Sequence, residues 1–145
     1  MRADRYSKRA GAAKKARLPD PQGGEARRRV ALLFGLRAET VAAIFLRLKG
    51  YSILARRFKV NGGEIDLIAR RGGAVAFVEV KARGDIDIAA EAISPAKRRR
   101  ISKAARAWIA RNPWAAAFTL RGDAVFIAPG RLPRHVPAAY RLDID

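Results

Sequence analysis

The spacing of hydrophobic positions changes period along this chain. From about Glu25 to Lys49 proline is absent and apolar residues recur at helical spacing, with Ala38, Val41, Phe45 and Leu48 on one side and Leu32, Ala43 and Leu46 on the other. This predicts a helix, interrupted at most at Gly35, that is apolar on more than one face and so largely buried; Glu39 is an unusual charge within it. After Gly50 the period shortens to that of strands. Tyr51 to Lys59 reads as a first strand, Asn61-Gly62 as a favoured hairpin turn, Glu64 to Ala69 as a second strand, Arg71-Gly72-Gly73 as a turn, and Val75 to Ala82 as a third. The three runs predict an antiparallel meander.

Ser94-Pro95 then offers an N-cap followed by proline at the first helical position, and Ile101, Ala104, Ala105, Trp108 and Ile109 mark one face of an amphipathic helix ending at Asn112-Pro113. A last run, Ala117 to Ala128, carries Phe118, Leu120, Val125, Phe126 and Ile127 around a possible turn at Arg121-Gly122. The order helix, three strands, helix, strand is that of an α/β sandwich without internal repeats.

Charge changes the picture from fold to partner. The 145 residues hold 31 Lys plus Arg against 13 Asp plus Glu, a formal +18, yet half are hydrophobic. The length fits one small domain and excludes a two-domain enzyme, and the apolar content excludes a disordered polybasic chain. Up to Val30 there are about ten basic residues against three acidic ones, and Pro19, Pro21, Gly23 and Gly24 close the stretch. Residues 1–24 are therefore expected to be a disordered basic arm and residues 25–145 the folded domain. The arm's composition also suits a mitochondrial presequence, or a solubilising tail without specific contacts. No apolar run approaches the roughly 18 to 20 residues of a membrane helix, so a soluble cytoplasmic protein without a membrane partner is expected. A cationic excess of this size predicts a polyanion, with nucleic acid first.

Zero cysteines and the single His135 exclude disulfide scaffolds, cysteine zinc sites and thiol catalysis, so a metal would need carboxylate ligands. Gly63-Glu64-Ile65-Asp66-Leu67-Ile68-Ala69 and Phe77-Val78-Glu79-Val80-Lys81 supply them. On a regular strand Glu79 and Lys81 share a face about 7 Å apart with Val78 and Val80 behind, and Glu64, Asp66 and Ile68 share a face opposite Ile65 and Leu67. A suitable hairpin register would bring Asp66 beside Glu79 and Lys81. Oxygen ligands of this kind select Mg²⁺ or Mn²⁺, and such a metal suits phosphodiester hydrolysis. Lys81 could orient or deprotonate a water or neutralise phosphate charge, and Glu39 could reach the same site from its helix. The bland alternatives are a solvent-facing ion cluster for the acids and an arginine pair for Glu39. On the second helix Lys97, Arg98, Arg99, Lys103 and Arg106 are candidate nucleic-acid contacts, of which Arg99, Lys103 and Arg106 form a phosphate rail on the side away from Ile101, Ala105 and Trp108, with Arg83 beyond the third strand as a further contact; a solvated helix face is the alternative. Trp108 is expected in the core, and His135, alone in a proline-rich segment, at the surface.

The helical Glu39 with Gly63 to Ala69 and Phe77 to Arg83 closely resembles the YraN family of uncharacterised bacterial proteins, which sits in the PD-(D/E)xK restriction-endonuclease-like superfamily and is similar to archaeal Holliday junction resolvases. The resemblance runs from about Leu36 to the C-terminus. It implies a restriction-endonuclease-like core, a mixed sheet flanked by helices. It also implies a metal on Asp66, Glu79 and the main-chain carbonyl of Val80, with Lys81 as catalytic lysine, Glu39 as helix-borne acid and a possible homodimer. Two functions follow as expectations: a metal-dependent nuclease for structured or branched DNA or RNA, and a non-catalytic nucleic-acid-binding module on the same scaffold. A protein that bridges acidic partners is a third.

Overall fold

A computed structural model describes residues 37–82 and 93–145. The expected arm, the first part of the expected helix and Arg83 lie outside the described residues. Helix α1 covers residues 37–48, followed by β1 (Ser52–Val60), β2 (Gly63–Arg71) and β3 (Ala74–Ala82). Helix α2 (Pro95–Arg111), a short 3₁₀ turn (Pro113–Ala117), β4 (Thr119–Ile127) and β5 (Arg134–Tyr140) complete the order. The strands form one sheet in the order β1-β2-β3-β4-β5. The first three pair antiparallel as the meander predicts, β4 runs parallel to β3, and β5 returns antiparallel to β4. The sheet is thus mixed, with a helix on each face.

The α1 face buries Ala38, Ala42, Ala43 and Leu46 against Leu67, Ala69, Ala76, Val78 and Val125. Small residues at 38 and 42 let the helix lie close to the sheet. This corrects the helical stripe expected from the sequence, because Val41 is 41% and Leu48 83% exposed, and Ile44 is half exposed. The buried stripe is Ala38, Ala42 and Leu46 at four-residue spacing, so only one face of α1 is covered by the described residues. On the other face Ile101, Ala104, Ala105 and Trp108 of α2 pack on Ile65, Ile68, Val75 and Phe77. Ser94 caps α2 through its side chain, which accepts from the Lys97 amide, and Pro95 opens the first turn. Gly63 lies under this helix, where a Cβ would stand 2.7 Å from the Arg100 carbonyl oxygen.

Two expectations about strands are corrected. Arg121-Gly122 is not a turn: β4 runs straight through it, and Gly122 is required because a Cβ there would meet the Tyr140 ring at 2.6 Å. Ile65 does not face the same way as Leu67, since it packs on α2 beside Ile68. Across the ladder in β1, Arg57, between the Arg56/Leu67 and Phe58/Ile65 pairs, takes φ 50°.

Candidate active site

The β2/β3 ladder is paired from Arg71/Ala74 to Leu67/Val78 and stops there. Beyond it β2 stays with β1 through Ile65/Phe58 and Glu64/Lys59, while β3 stays with β4 through Glu79/Ala124 and onward to Ala82/Ile127. The sheet therefore forks, and Asp66 and Glu79 are the first residues past the branch. At the fork the Val80 amide, which has no β2 carbonyl to serve, donates to Asp66 Oδ2 at 2.8 Å. The expected register is borne out.

Glu79 is buried, and Lys81 Nζ stands 3.6 Å from its Oε1. Lys97 Nζ, from the first turn of α2, stands closer at 3.3 Å. The other carboxylate oxygen, Oε2, is buried with no hydrogen-bond partner. Burial first, and then the neighbouring Glu79 charge, push the Asp66 carboxyl up to about 7, against the opposing pull of the Val80 amide. Two carboxyl groups held together under low dielectric, one with an orphaned oxygen, form a site that favours a proton or a cation. Among the described residues no group of three or more His, Cys, Asp or Glu side chains converges. Mg²⁺ takes one or two carboxylates and fills its other positions with carbonyl, water or phosphate oxygen, so Asp66, Glu79 and the Val80 main chain fit such an ion. The Tyr140 hydroxyl donates to the Phe77 carbonyl at 2.6 Å, and burial, then the negative charges of Glu79, Asp123 and Asp66, raise its pKa.

Glu39 is not brought to the fork. Its carboxylate accepts from Arg57 Nε at 2.9 Å, with Arg56 Nε at 3.5 Å. Consecutive residues of a regular strand point to opposite faces, and the positive φ at Arg57 is what lets both reach one α1 carboxylate. Glu64 makes only a 4.0 Å surface pair with Lys59. Along α2, Arg99, Arg100, Lys103 and Arg106 line a groove of about 650 Å³. Lys103 Nζ lies over Gly62, and Arg106 is tied to the Asp143 carbonyl. Arg98, a candidate contact outside the rail, has its Nε buried without a hydrogen-bond partner. Trp108 is core, as expected, and Trp114 is half exposed beneath Arg70.

A second polar cluster escaped the sequence reading. Asp123, fully buried in β4, accepts from Arg121 Nε at 2.7 Å, Arg121 Nη2 at 3.0 Å and the Ala138 amide at 3.0 Å. His135 Nε2 lies 2.7 Å from Asp123 Oδ2, and Lys49 Nζ lies 2.7 Å from His135 Nδ1. Arg121 also donates to the Tyr51 hydroxyl at 2.8 Å. Burial would raise the Asp123 pKa, but the bonds from His135, Arg121 and Ala138 outweigh it and hold the carboxyl below its ordinary range. His135 is thus the reverse of the surface residue expected, with a side chain 1% exposed. The one signal available was Arg121 and Asp123, opposite charges at alternate positions of an apolar strand.

Comparisons with known proteins bear out the family resemblance. The profile of the uncharacterised protein family UPF0102 matches residues 38–127. A UPF0102 protein of Methylocella silvestris is 60% identical over 116 residues, covering 80% of this chain and 94% of that one. One from Methylorubrum extorquens is 58% identical over 123 residues, covering 85% and 96%, and one from Rhodopseudomonas palustris is 52% identical over 125 residues, covering 86% and 93%.

Proposed function

The chain belongs to the UPF0102 family, and we propose that it is a metal-dependent nuclease of the PD-(D/E)xK type, with a restriction-endonuclease-like core similar to that of archaeal Holliday junction resolvases. In this reading it hydrolyses phosphodiester bonds in structured or branched DNA or RNA in the bacterial cytoplasm. The observation that carries the reading is the fork in the sheet, where Asp66 stands next to Glu79, whose Oε1 lies 3.6 Å from Lys81 Nζ and whose buried Oε2 has no hydrogen-bond partner. Mg²⁺ or Mn²⁺ would be held by Asp66, Glu79 and the Val80 carbonyl. Such an ion supplies a water of lowered pKa and neutralises phosphate charge.

The chain's own groups do the rest. In this reading Lys81, 16% exposed and 3.6 Å from Glu79, holds an attacking water or balances charge on a phosphate oxygen. Arg99, Lys103 and Arg106 along the α2 groove give backbone affinity that ignores sequence, and no motif in the chain reads base edges. Glu39 is committed to two arginines and has no part in this set. A homodimer would present two such sites to two strands. Among the described residues no helix is long and apolar enough to cross a membrane.

The test is cleavage of labelled four-way junction, flap, nicked duplex, single-stranded DNA and structured RNA, in Mg²⁺ or Mn²⁺ and in EDTA. Metal-dependent cutting that Asp66→Ala and Lys81→Ala both abolish is the expected result. Binding across the panel without cutting by the wild type would replace this reading with the non-catalytic module.

A further inference from the structure

Two ammonium groups converge on one oxygen of Glu79. Lys81 Nζ stands at 3.6 Å and Lys97 Nζ at 3.3 Å from Oε1, and both separations exceed the roughly 2.7–2.9 Å of a charge-assisted hydrogen bond. Each ammonium carries three N–H donors. One shared carboxylate oxygen, reached at ion-pair distance, leaves most of those six donors for something else.

The two lysines differ in where they face. Lys81 rises from the floor of the fork and is 16% exposed, whereas Lys97 enters from α2 and is 32% exposed. Lys97 is fixed there by its own element, because its main-chain amide is the donor that the Ser94 cap holds. The first turn of α2 contains no acidic residue. Ala96, Arg99 and Arg100, on either side of Lys97 in sequence, line the basic groove. Lys97 itself does not line that groove: at helical spacing it falls on the sheet-facing side of α2 with Ile101, Ala104 and Trp108, which brings its ammonium to the acid pair.

We propose that Lys97, with Lys81, receives the scissile phosphate on the solvent side of Glu79. The proposal rests on the nuclease reading for the word scissile, and on the ion-pair geometry for the phosphate. A phosphodiester offers two non-bridging oxygens about 2.5 Å apart, enough for one lysine each. Lys97 then marks where the substrate strand crosses the active site, and it separates two jobs that one lysine would otherwise share: Lys81 next to the water, Lys97 on the phosphate.

Two measurements test this. In the first, metal-free full-length protein in EDTA is titrated with inorganic phosphate while the lysine ε-methylene signals are followed by NMR, with assignments from Lys81→Met and Lys97→Met. The Lys97 signal is expected to shift saturably and further than that of Lys59, an exposed lysine whose carboxylate partner stands farther off, at 4.0 Å. In the second, Lys97→Met and Lys97→Arg are compared with wild type for Mn²⁺ binding by calorimetry and for cleavage at saturating substrate. Lys97→Met is expected to lower the turnover rate about 100-fold, a loss typical of removing one charge-stabilising donor. Lys97→Arg is expected to recover part of it, and Lys97→Met to bind Mn²⁺ as tightly as wild type or more tightly, since a like charge has been removed. A Lys97 shift no larger than that of Lys59, or undiminished cleavage by Lys97→Met, would overturn the proposal. So would loss of Mn²⁺ binding together with cleavage, which would make Lys97 a prop for Glu79. Where the wild type cuts nothing, the nuclease reading fails, and the phosphate titration still decides whether Lys97 is an anion site.

Discussion

The acid pair at the fork is a local liability in the absence of a cation, and that has a pH signature. The Asp66 carboxyl is raised in the folded chain from 3.8 to about 7. A raised carboxyl binds its proton more tightly when folded, so the stability it contributes is fully present below pH 3.8 and is lost as pH rises through about 7. In EDTA, thermal unfolding of the wild type should therefore move to lower temperature between pH 4 and pH 8. Asp66→Asn should flatten that dependence and be the more stable protein at pH 8. A wild-type midpoint that held or rose over this range, with no gain from Asn, would mean that the pair is not strained. Asp123 behaves in the opposite sense. Its depressed pKa makes its contribution present above the ordinary aspartate value and lost as pH falls through the folded one. Asp123→Ala, or His135→Ala, should cost about 3–5 kcal/mol in denaturant unfolding, because either change leaves buried polar partners without their charge or bond. In the sequence Asp123 left one signal, the opposite charge of Arg121 two positions before it, and His135 left none. A lone histidine among prolines carries no local signal, and its buried partner lies twelve residues away in another strand.

Among the helices and strands, what was legible is what local pattern controls. The meander followed from two-residue alternation and an Asn-Gly turn, and α2 from its cap and its buried stripe, both of which the structure reproduces. The direction of β4 depends on a crossover, which local pattern does not encode. Its Gly122 looked like a turn residue but serves a close approach by Tyr140. Strand β5 contains Pro137 and a positive φ at Ala138, so nothing in its pattern reads as a strand. Those same irregularities have a use. The two edge strands are β1 and β5, and each carries a register shift with its neighbour and a residue at positive φ, which makes it a poor template for adding another strand. A dimer of this chain is therefore expected to associate through other surfaces. The fork depends on α2 lying close over Gly63. Gly63→Ala, whose Cβ would press on helix backbone, should destabilise the fold by about 1–3 kcal/mol and loosen the contact between Lys97 and Glu79. Ser94→Ala, which removes only the cap, should cost about 1 kcal/mol with the site retained.

Across the full chain, the largest feature is the excess of positive charge. A formal +18 on 145 residues gives any polyanion long-range attraction, and that attraction falls with salt. Neutralising Arg99, Lys103 or Arg106 singly should weaken duplex binding similarly for unrelated sequences and lower the slope of log K against log salt by about one each. Mutants that kept the wild-type slope would show these residues to be a solvated face. Affinity and chemistry are then separable. In the proposed reading the groove would hold the backbone, and the fork, where two carboxyl groups meet on a body of net positive charge, is where a divalent cation would be concentrated against that charge. The nuclease reading depends on that cation, and its binding needs no substrate to be measured. Mn²⁺ binding to the metal-free protein at pH 8, followed by calorimetry and electron paramagnetic resonance, should show one site that is lost in Glu79→Gln and in Asp66→Asn, both of them folded. Absence of a saturable site in the wild type, or a site that survives both substitutions, would contradict it.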